Sequence, residues 1–160
     1  MQVLEEEPRH REGIRRVIGD AFGRPDEARL VDDLRSDGDL VLSLVWEEQA
    51  EVCGHVALSR LKSPDRALAL APVSVLRARE RQGIGAALVR EATAGATRLG
   101  YALIFVLGHP AYYSRFGFSV EGAAPYPCPF AGPHFMALSL TGRAHPVAPV
   151  IYPAAFDKLG

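Results

Sequence analysis

Three stretches of the chain repeat apolar residues every three or four positions, which is the spacing that buries one face of an α-helix. They cover residues 10–22, 25–38 and 83–99. A proline at position 25 suits the first turn of a helix, whereas Gly38 and Gly100 are residues that commonly end one. The pattern therefore predicts three amphipathic helices, each with one buried stripe.

Seven other segments are short, apolar and rich in β-branched residues, which is typical of strands. Polar residues 47–51 separate two of them and predict an antiparallel hairpin. Pro72 interrupts another strand and predicts a bulge or splayed edge, because proline cannot donate a ladder hydrogen bond. A short helix is predicted at 111–116. The predicted strands are 1–6, 40–46, 52–61, 67–76, 102–107, 118–120 and 135–140.

The composition is that of a single globular domain. Of the 160 residues, 48% are hydrophobic and 23% are charged, so neither a disordered nor a membrane-embedded protein is expected. We expect one domain over residues 1–160, in which residues 142–160 form an irregular, proline-containing C-terminal segment.

Charge and targeting features narrow the partners. The net charge of −1 gives no overall attraction to nucleic acid. No apolar run approaches the roughly 20 residues that span a bilayer, and residues 1–10 lack the pattern of a signal peptide. Cys53 and Cys128 have neither metal-ligand nor disulfide-framework spacing, so both are expected to be reduced. The expectation is a cytoplasmic protein with no nucleic-acid or membrane partner.

The most informative motif is the basic turn between the predicted strand 67–76 and the predicted helix 83–99. The motif QGIG stands at 82–85, and its glycines let a ligand approach the backbone closely. The unpaired N–H groups and positive dipole end of a helix start favour an anion, and Arg77, Arg79 and Arg81 stand nearby. The segment predicts a phosphate cradle, although a bare strand-to-helix connection with a solvated charged turn has the same composition.

A second motif follows downstream, the run GHPAYYSRFGF at 108–118. With the cradle and the order of the predicted elements, it resembles the GNAT superfamily of N-acetyltransferases over essentially the whole chain. Three segments are similar to those of the small bacterial branch often called YhbS-like: DEARLV at 26–31, QGIG at 82–85 and PAYYSRFGF at 110–118.

The resemblance implies an α/β protein of the GNAT fold. Its mixed central sheet would have about six or seven strands, would splay at the cofactor site and would be flanked by helices. The implied activity is direct transfer of an acetyl group from acetyl-CoA to a primary amine, with no metal.

In the family, successive backbone N–H groups of a Gln/Arg-x-x-Gly-x-Gly/Ala turn hold the pyrophosphate of acetyl-CoA. Two positions depart from this pattern: Glu80 stands where Gln or Arg is usual, and Arg81 replaces a common glycine. A carboxylate repels a pyrophosphate unless it faces solvent or pairs with an arginine, so weaker or rearranged binding is expected. The residues that the resemblance assigns to the cradle are Arg81, Gln82, Gly83, Ile84, Gly85 and Ala86.

The strand before the cradle in such enzymes offers its backbone to the pantetheine arm and the acetyl carbonyl. This implies Val73, Ser74 and Val75 here. Pro72 fits the role, because a splayed strand leaves backbone groups unpaired for a pantetheine amide. The side chains of these three residues are expected in the core in either case.

Tyr113 matches the tyrosine that usually protonates the departing CoA thiolate in this superfamily. A phenol with a pKa of about 10 keeps its proton at neutral pH, and a thiol with a pKa of about 8.5 is only slightly less basic. The alternative is a tyrosine that packs a helix against the sheet, and this suits Tyr112 better than Tyr113.

The sequence leaves the general base open. Several relatives use a carboxylate on a central strand, but segments 67–75 and 102–107 contain none. His109 and His55 are candidates, acting directly or through water, because histidine titrates in the right range. Each is equally explained as a surface or hydrogen-bonded histidine. The histidines show no metal-ligand spacing.

Two further functions stay open at this point: transfer of a longer acyl group from CoA, and a catalytically silent CoA-binding regulatory module. The acceptor, a small-molecule or peptide amine, is expected to enter near Asp26, Glu27, the hairpin and loop 125–133. Its identity is not readable from the sequence, and both a monomer and a homodimer are compatible with it.

Overall fold

The computed structural model describes residues 2–159 as a six-stranded sheet with helices on both faces. The strands lie in chain order across the sheet, and all neighbours are antiparallel except β4 and β5, which are parallel. The α/β class and the mixed sheet are thus confirmed, with six strands. Met1, which the predicted first strand includes, lies outside the described residues. The strands are β1 (Val3–Glu5), β2 (Leu40–Glu48), β3 (Glu51–Arg60), β4 (Ala67–Val75), β5 (Leu103–Leu107) and β6 (Phe135–Ser139).

The three predicted amphipathic helices are present. The second helix ends at Gly38, and the third ends two residues before Gly100. Both glycines have a positive φ, 78° and 87°. Short 3₁₀ turns lie at Pro8–His10, Arg77–Arg79, Ser114–Phe116 and Ala154–Lys158. No helix within residues 2–159 has the length and apolar character needed to cross a membrane. The α-helices are α1 (Arg11–Phe22), α2 (Asp26–Asp37), α3 (Ile84–Arg98), α4 (Pro110–Tyr113) and α5 (Val120–Ala123).

Both faces of the sheet are buried, each under a different helix layer. Successive strand residues point to opposite faces, and in β2 Leu44 packs in the core beneath α3 while Val45 packs with α1 and α2. Burial on both sides explains why β3 is mostly apolar, with residues 52–59 all buried.

The predicted strand at 118–120 is wrong. Ser119 makes a single bridge to Ala137, and a helical turn begins at the next residue. The hydroxyl oxygen of Ser119 accepts a hydrogen bond from the amide of Gly122 at 3.0 Å, so the serine acts as an N-cap. This local capping bond competes successfully with continuation of the strand.

The C-terminal segment is largely irregular but well anchored. Ile151 exchanges two 2.8 Å backbone hydrogen bonds with the loop at Lys62 and Ser63. The 3₁₀ turn Ala154–Lys158 then packs on α2, where Ala155 is buried with Leu30 and Leu34. The C-terminal segment, as far as Leu159, therefore packs against the rest of the described structure.

The sheet opens between β4 and β5. Their pairing is limited to three positions, from Ala67 with Leu103 to Ala69 with Phe105. Beyond them β4 contains a bulge, because two of its residues, Ala71 and Pro72, lie opposite the single β3 residue between Val56 and Leu58. The bulge predicted from Pro72 is confirmed, and we call the gap beyond it the splay.

Gly54 lets α3 approach β3 closely. A Cβ at this position would lie 2.7 Å from Ile84 Cγ2 and 2.9 Å from Leu88 Cδ1. Gly54→Ala is expected to lower the free energy of unfolding by about 1–3 kcal/mol, because overpacking forces a shift of the helix. Urea denaturation measures the change.

Gly19→Ala is the matched control for Gly54→Ala. Nothing lies within 4 Å of its added Cβ, and Gly19 sits inside α1. Alanine should stabilise the protein by roughly 0.5–1 kcal/mol there. Equal unfolding free energies for the two variants would contradict the close approach at Gly54.

Candidate active site

The start of α3 forms a cradle of unpaired backbone amides. Arg81 and Gly83 both have positive φ, 66° and 82°, and the chain curls tightly between them. Within residues 2–159, none of the six amides from Arg81 to Ala86 donates to a protein acceptor, and the first bond of the helix runs from Ala87 N to Gly83 O. Six successive donors at the positive end of a helix dipole are suited to bind an anion.

Two glycines allow tyrosine rings to lie close to the backbone beside this cradle, because they have no side chain. A Cβ on Gly85 would lie 2.9 Å from the Tyr112 hydroxyl, and one on Gly108 would lie 2.5 Å from Cε2 of Tyr113. Any larger residue at either position would displace a ring. These glycines are therefore required by close approach rather than by backbone conformation.

The edge of β4 also presents unpaired backbone groups. The amide of Leu76 donates to Cys53 O at 2.9 Å, which marks a hydrogen-bonded pair of the antiparallel ladder with β3. Because such pairs alternate, the backbone groups of Ser74 point toward β3, and those of Val73 and Val75 point away from it. They open into the splay, where β5 no longer pairs with β4.

Two clefts meet at this edge. The first, which we call the cradle cleft, has a volume of about 710 Å³ and runs from the cradle along β4 to α4. The second, the aromatic cleft, has a volume of about 540 Å³ and lies between the splay, α2 and the C-terminal segment. Three residues line both clefts: Phe22, Val73 and Tyr113.

Of these three residues, Tyr113 alone carries an ionisable group. Its ring packs edge-on against Tyr112 and Phe118, at centroid distances of 5.0 Å and 5.8 Å. Burial disfavours the phenolate and raises the pKa of Tyr113 to about 12, and the neighbouring Tyr112 adds to the shift. The junction of the clefts therefore holds a phenol that stays protonated far above neutral pH.

Comparison with known proteins identifies this arrangement. A profile of the acetyltransferase (GNAT) domain matches residues 40–120, which contain the bulge, the cradle and Tyr113. The N-acetyltransferase YhbS of Escherichia coli is 35% identical over 136 residues, which cover 82% of this chain and 81% of YhbS. The chain belongs to the GNAT acetyltransferase family.

Solved structures support the family at the level of the fold. The crystal structure of E. coli YhbS in complex with CoA matches this GNAT protein with a TM-score of 0.88 and 31% identity, covering 99% of this chain and 92% of that one. A GNAT family acetyltransferase from Brucella melitensis, solved with acetyl-CoA, matches with a TM-score of 0.84 and 36% identity, covering 97% of both chains.

Most of the site residues predicted for this GNAT protein meet in the cradle cleft. Two of the predicted cofactor-binding residues do not line it: the side chain of Ser74 is buried, as expected, and the exposed Gln82 accepts a hydrogen bond from Arg79 at 2.9 Å. The predicted residues that line the cleft are Val73, Val75, Arg81, Gly83, Ile84, Gly85, Ala86, His109 and Tyr113.

Several lining residues escaped the sequence reasoning. Tyr112 was expected only to pack, yet it lines the cradle cleft, as does Arg115, whose guanidinium lies 4.9 Å from the centre of the Tyr112 ring. Their spacing of three residues in a short helix was the available signal. Phe22 lies at the end of α1, and no local pattern connects it to the cleft.

His55 is placed outside both clefts. It is fully buried, and its Nε2 lies 2.8 Å from the hydroxyl of Ser43, which donates its own proton to Glu6. Burial of the ring lowers the pKa of His55 to about 3, although Glu6 opposes the shift. A histidine without access to substrate and with such a low pKa cannot take a proton from an amine, so we withdraw it as a candidate base.

His109 remains beside the reacting region. It is exposed, lines the cradle cleft and packs edge-on against His134 with ring centroids 6.0 Å apart. Its carbonyl oxygen accepts hydrogen bonds from the amides of Tyr112 and Tyr113, both at 3.0 Å, and so orders the start of α4.

Among the described residues, no three His, Cys, Asp or Glu side chains converge as metal ligands would.

The raised pKa of Tyr113 can be measured directly. The absorbance at 295 nm of the wild-type protein minus that of Tyr113→Phe should stay flat between pH 9 and pH 11, because the buried phenol ionises near pH 12. A free tyrosine derivative, with a pKa of about 10, serves as the reference. A difference step centred near pH 10 would contradict the burial of this hydroxyl.

Proposed function

We propose that this chain binds acetyl-CoA and transfers its acetyl group directly to a primary amine. The observation that carries the proposal is the position of Tyr113, the one ionisable side chain that lines both clefts within residues 2–159. The relatives from E. coli and Brucella melitensis bind CoA and acetyl-CoA. In this arrangement the donor occupies the cradle cleft and the acceptor enters from the aromatic cleft.

The pyrophosphate is assigned to the cradle. The amides from Arg81 to Ala86 supply the donors, and Arg79, Arg81 and Arg115 add positive charge along the same cleft. Arg79 already pairs with Glu48 at 2.7 Å, so the other two arginines carry most of the attraction. Glu80 lies on the lip of the cleft and is exposed, so its carboxylate can turn to solvent.

The pantetheine arm is assigned to the splay. Its amides are of the right kind to replace β5 as partner of the β4 edge, in the manner of an added strand. The unpaired backbone groups of Val73 and Val75 would bind it. The backbone of Ser74, which lies between them, is paired with β3 and fixes the spacing of the two valines. The N–H group nearest the thioester would also hold the oxyanion that forms during transfer.

The transfer itself needs no covalent enzyme intermediate. The incoming ammonium first loses one proton through water, with His109 as the proposed acceptor. The neutral nitrogen then attacks the thioester carbonyl carbon, the C–N bond forms, and the C–S bond breaks. The departing thiolate takes the phenol proton of Tyr113, and the proton that nitrogen loses as the amide forms returns through water to the phenolate. Desolvation makes a buried thiolate more basic, and this narrows the pKa difference from the buried phenol.

The other readings of the sequence have less support. A catalytically silent CoA-binding module would not require a protonated tyrosine at the junction of two clefts. Cytoplasmic location and the choice between monomer and homodimer stay predictions.

Tyr113→Phe is expected to lower kcat by roughly 10²- to 10⁴-fold, the range typical of a lost general acid. Release of CoA thiol with a panel of primary amines measures it, and CoA affinity should be unchanged. Tyr101→Phe, a half-buried tyrosine outside both clefts, is the control and should retain full turnover. Unchanged turnover of Tyr113→Phe at every pH would refute the assigned role.

Glu80→Gln is expected to tighten CoA binding by roughly two- to fivefold at low salt, because it removes a negative charge beside the pyrophosphate. Titration calorimetry at 20 mM and 500 mM salt measures the effect, which should shrink at high salt.

Glu12→Gln is the matched control for Glu80→Gln. Glu12 lies near the start of α1, about 14 Å along the helix from the cleft residue Ala21, so its charge acts on a ligand in the cleft only through a long path in water, and its effect at 20 mM salt should be much smaller than that of Glu80→Gln. Weaker binding by Glu80→Gln would instead mean that this carboxylate organises the cradle.

A further inference from the structure

One wall of the aromatic cleft consists of aromatic rings in mutual contact. Phe130 contacts Tyr152 edge-on at a centroid distance of 5.5 Å, and Tyr152 contacts Phe156 at 4.9 Å. Phe130 comes from the proline-rich loop, and the other two rings come from the C-terminal segment. Leu30 of α2 and Phe105 of β5 extend the apolar lining. A volume of about 540 Å³ is within the range of small-molecule sites.

The mouth of this cleft exposes large apolar side chains to water. Phe22, Leu107 and Phe130 are 41%, 54% and 51% exposed, and all three line the cleft. They are half of the six large apolar residues that are exposed within residues 2–159. Clustering of such residues around one opening marks a surface that an apolar ligand covers.

One charged pair interrupts the apolar lining. The side chain of Glu27 is 7% exposed, and its two carboxylate oxygens accept hydrogen bonds from Nε and Nη2 of Arg24, at 3.0 Å and 2.5 Å. Among the described residues that line the cleft, Glu27 is the one carboxylate. A carboxylate has about four lone-pair sites, so Glu27 can accept from one ammonium in addition to Arg24. A polyamine would bring further positive charges beside Arg24, which lines the same cleft.

We propose that the acceptor is a primary monoamine with an apolar body, of the arylalkyl or alkyl class. Its body packs against Phe130, Tyr152 and Phe156, and its ammonium donates a hydrogen bond to the carboxylate of Glu27. This assignment rests on the proposed function, because it gives the acceptor of that same reaction.

The same cleft is less suited to a long acyl chain. An acyl group arrives attached to CoA, so it needs no opening to solvent of its own, yet the mouth of the aromatic cleft is wide and exposed. An acyl chain also brings no positive group that could bind to the buried carboxylate of Glu27. A longer acyl donor is therefore treated as an opposing outcome of the experiment.

The first experiment compares acceptors under steady-state conditions with acetyl-CoA. 2-Phenylethylamine and n-hexylamine should give kcat/KM values roughly ten- to a hundredfold above that of ethanolamine, the effect expected from burying an apolar body. Spermidine should be a poorer substrate than 2-phenylethylamine and n-hexylamine, despite its higher positive charge. Preference for ethanolamine or spermidine, or a preference for hexanoyl-CoA over acetyl-CoA with every amine, would overturn the assignment.

Variants test the wall and the charge separately. Phe130→Ala should raise the KM for 2-phenylethylamine about three- to tenfold while leaving the KM for ethanolamine and for acetyl-CoA unchanged. Glu27→Gln, which keeps the size of the side chain and one acceptor oxygen for Arg24 but removes the negative charge, should raise the KM for both amines. Val147→Ala, which removes an apolar side chain that is 60% exposed outside both clefts, is the control and should change neither.

A binding measurement separates this inference from the proposed function. Calorimetry of 2-phenylethylamine with the CoA-saturated protein needs no turnover. Binding that Phe130→Ala and Glu27→Gln both weaken, in a protein that releases no thiol with any amine, would sink the proposed activity and leave the cleft assignment standing. Turnover of hydrophilic amines without any binding of 2-phenylethylamine would do the reverse.

Discussion

The rest of the structure depends on the interruption of backbone pairing between β4 and β5. The two strands pair only as far as Ala69 and Phe105, after which the bulge at Pro72 turns the edge of β4 away. Elsewhere a strand edge without partners would be a liability inside a folded protein. Here the splay gives the two clefts a common wall, and the flanking α1, α3 and α4 hold Phe22, the cradle and Tyr113 at its margins.

Much of this scaffold was predictable because local rules decide it. Helical periodicity located α1, α2 and α3, and the missing N–H of Pro72 located the bulge. The cradle could be read from its glycines, since one stands at a positive φ and the other lies against a tyrosine hydroxyl. The prediction failed at Ser119, where a side-chain cap and a strand were both locally possible and the cap formed.

The aromatic cleft was predictable only in part: the sequence pointed to Glu27 and loop 125–133, but not to the rings of the C-terminal segment, because the parts of the cleft are distant in sequence. Phe130, Tyr152 and Phe156 show no periodicity, and only the folded loop and C-terminal segment bring their rings together. His55 fails for a related reason: its residue type fits a general base, but burial under α1 and α2 leaves it neutral and without access to the clefts. Solvent access is a property of the tertiary structure, and composition does not report it.

The GNAT family profile matches residues 40–120, which hold the groups assigned to the donor but only part of the aromatic cleft. This segment contains the β4 edge, the cradle and Tyr113, whereas Glu27, Phe130 and Phe156 all lie outside it. The groups assigned to the donor and those assigned to the acceptor therefore reside in separate stretches of the gene. Mutations in the loop and the C-terminal segment can alter the acceptor wall without changing any atom of the cradle. A lineage carrying this scaffold could thus exchange one amine for another while its use of the donor is inherited unchanged.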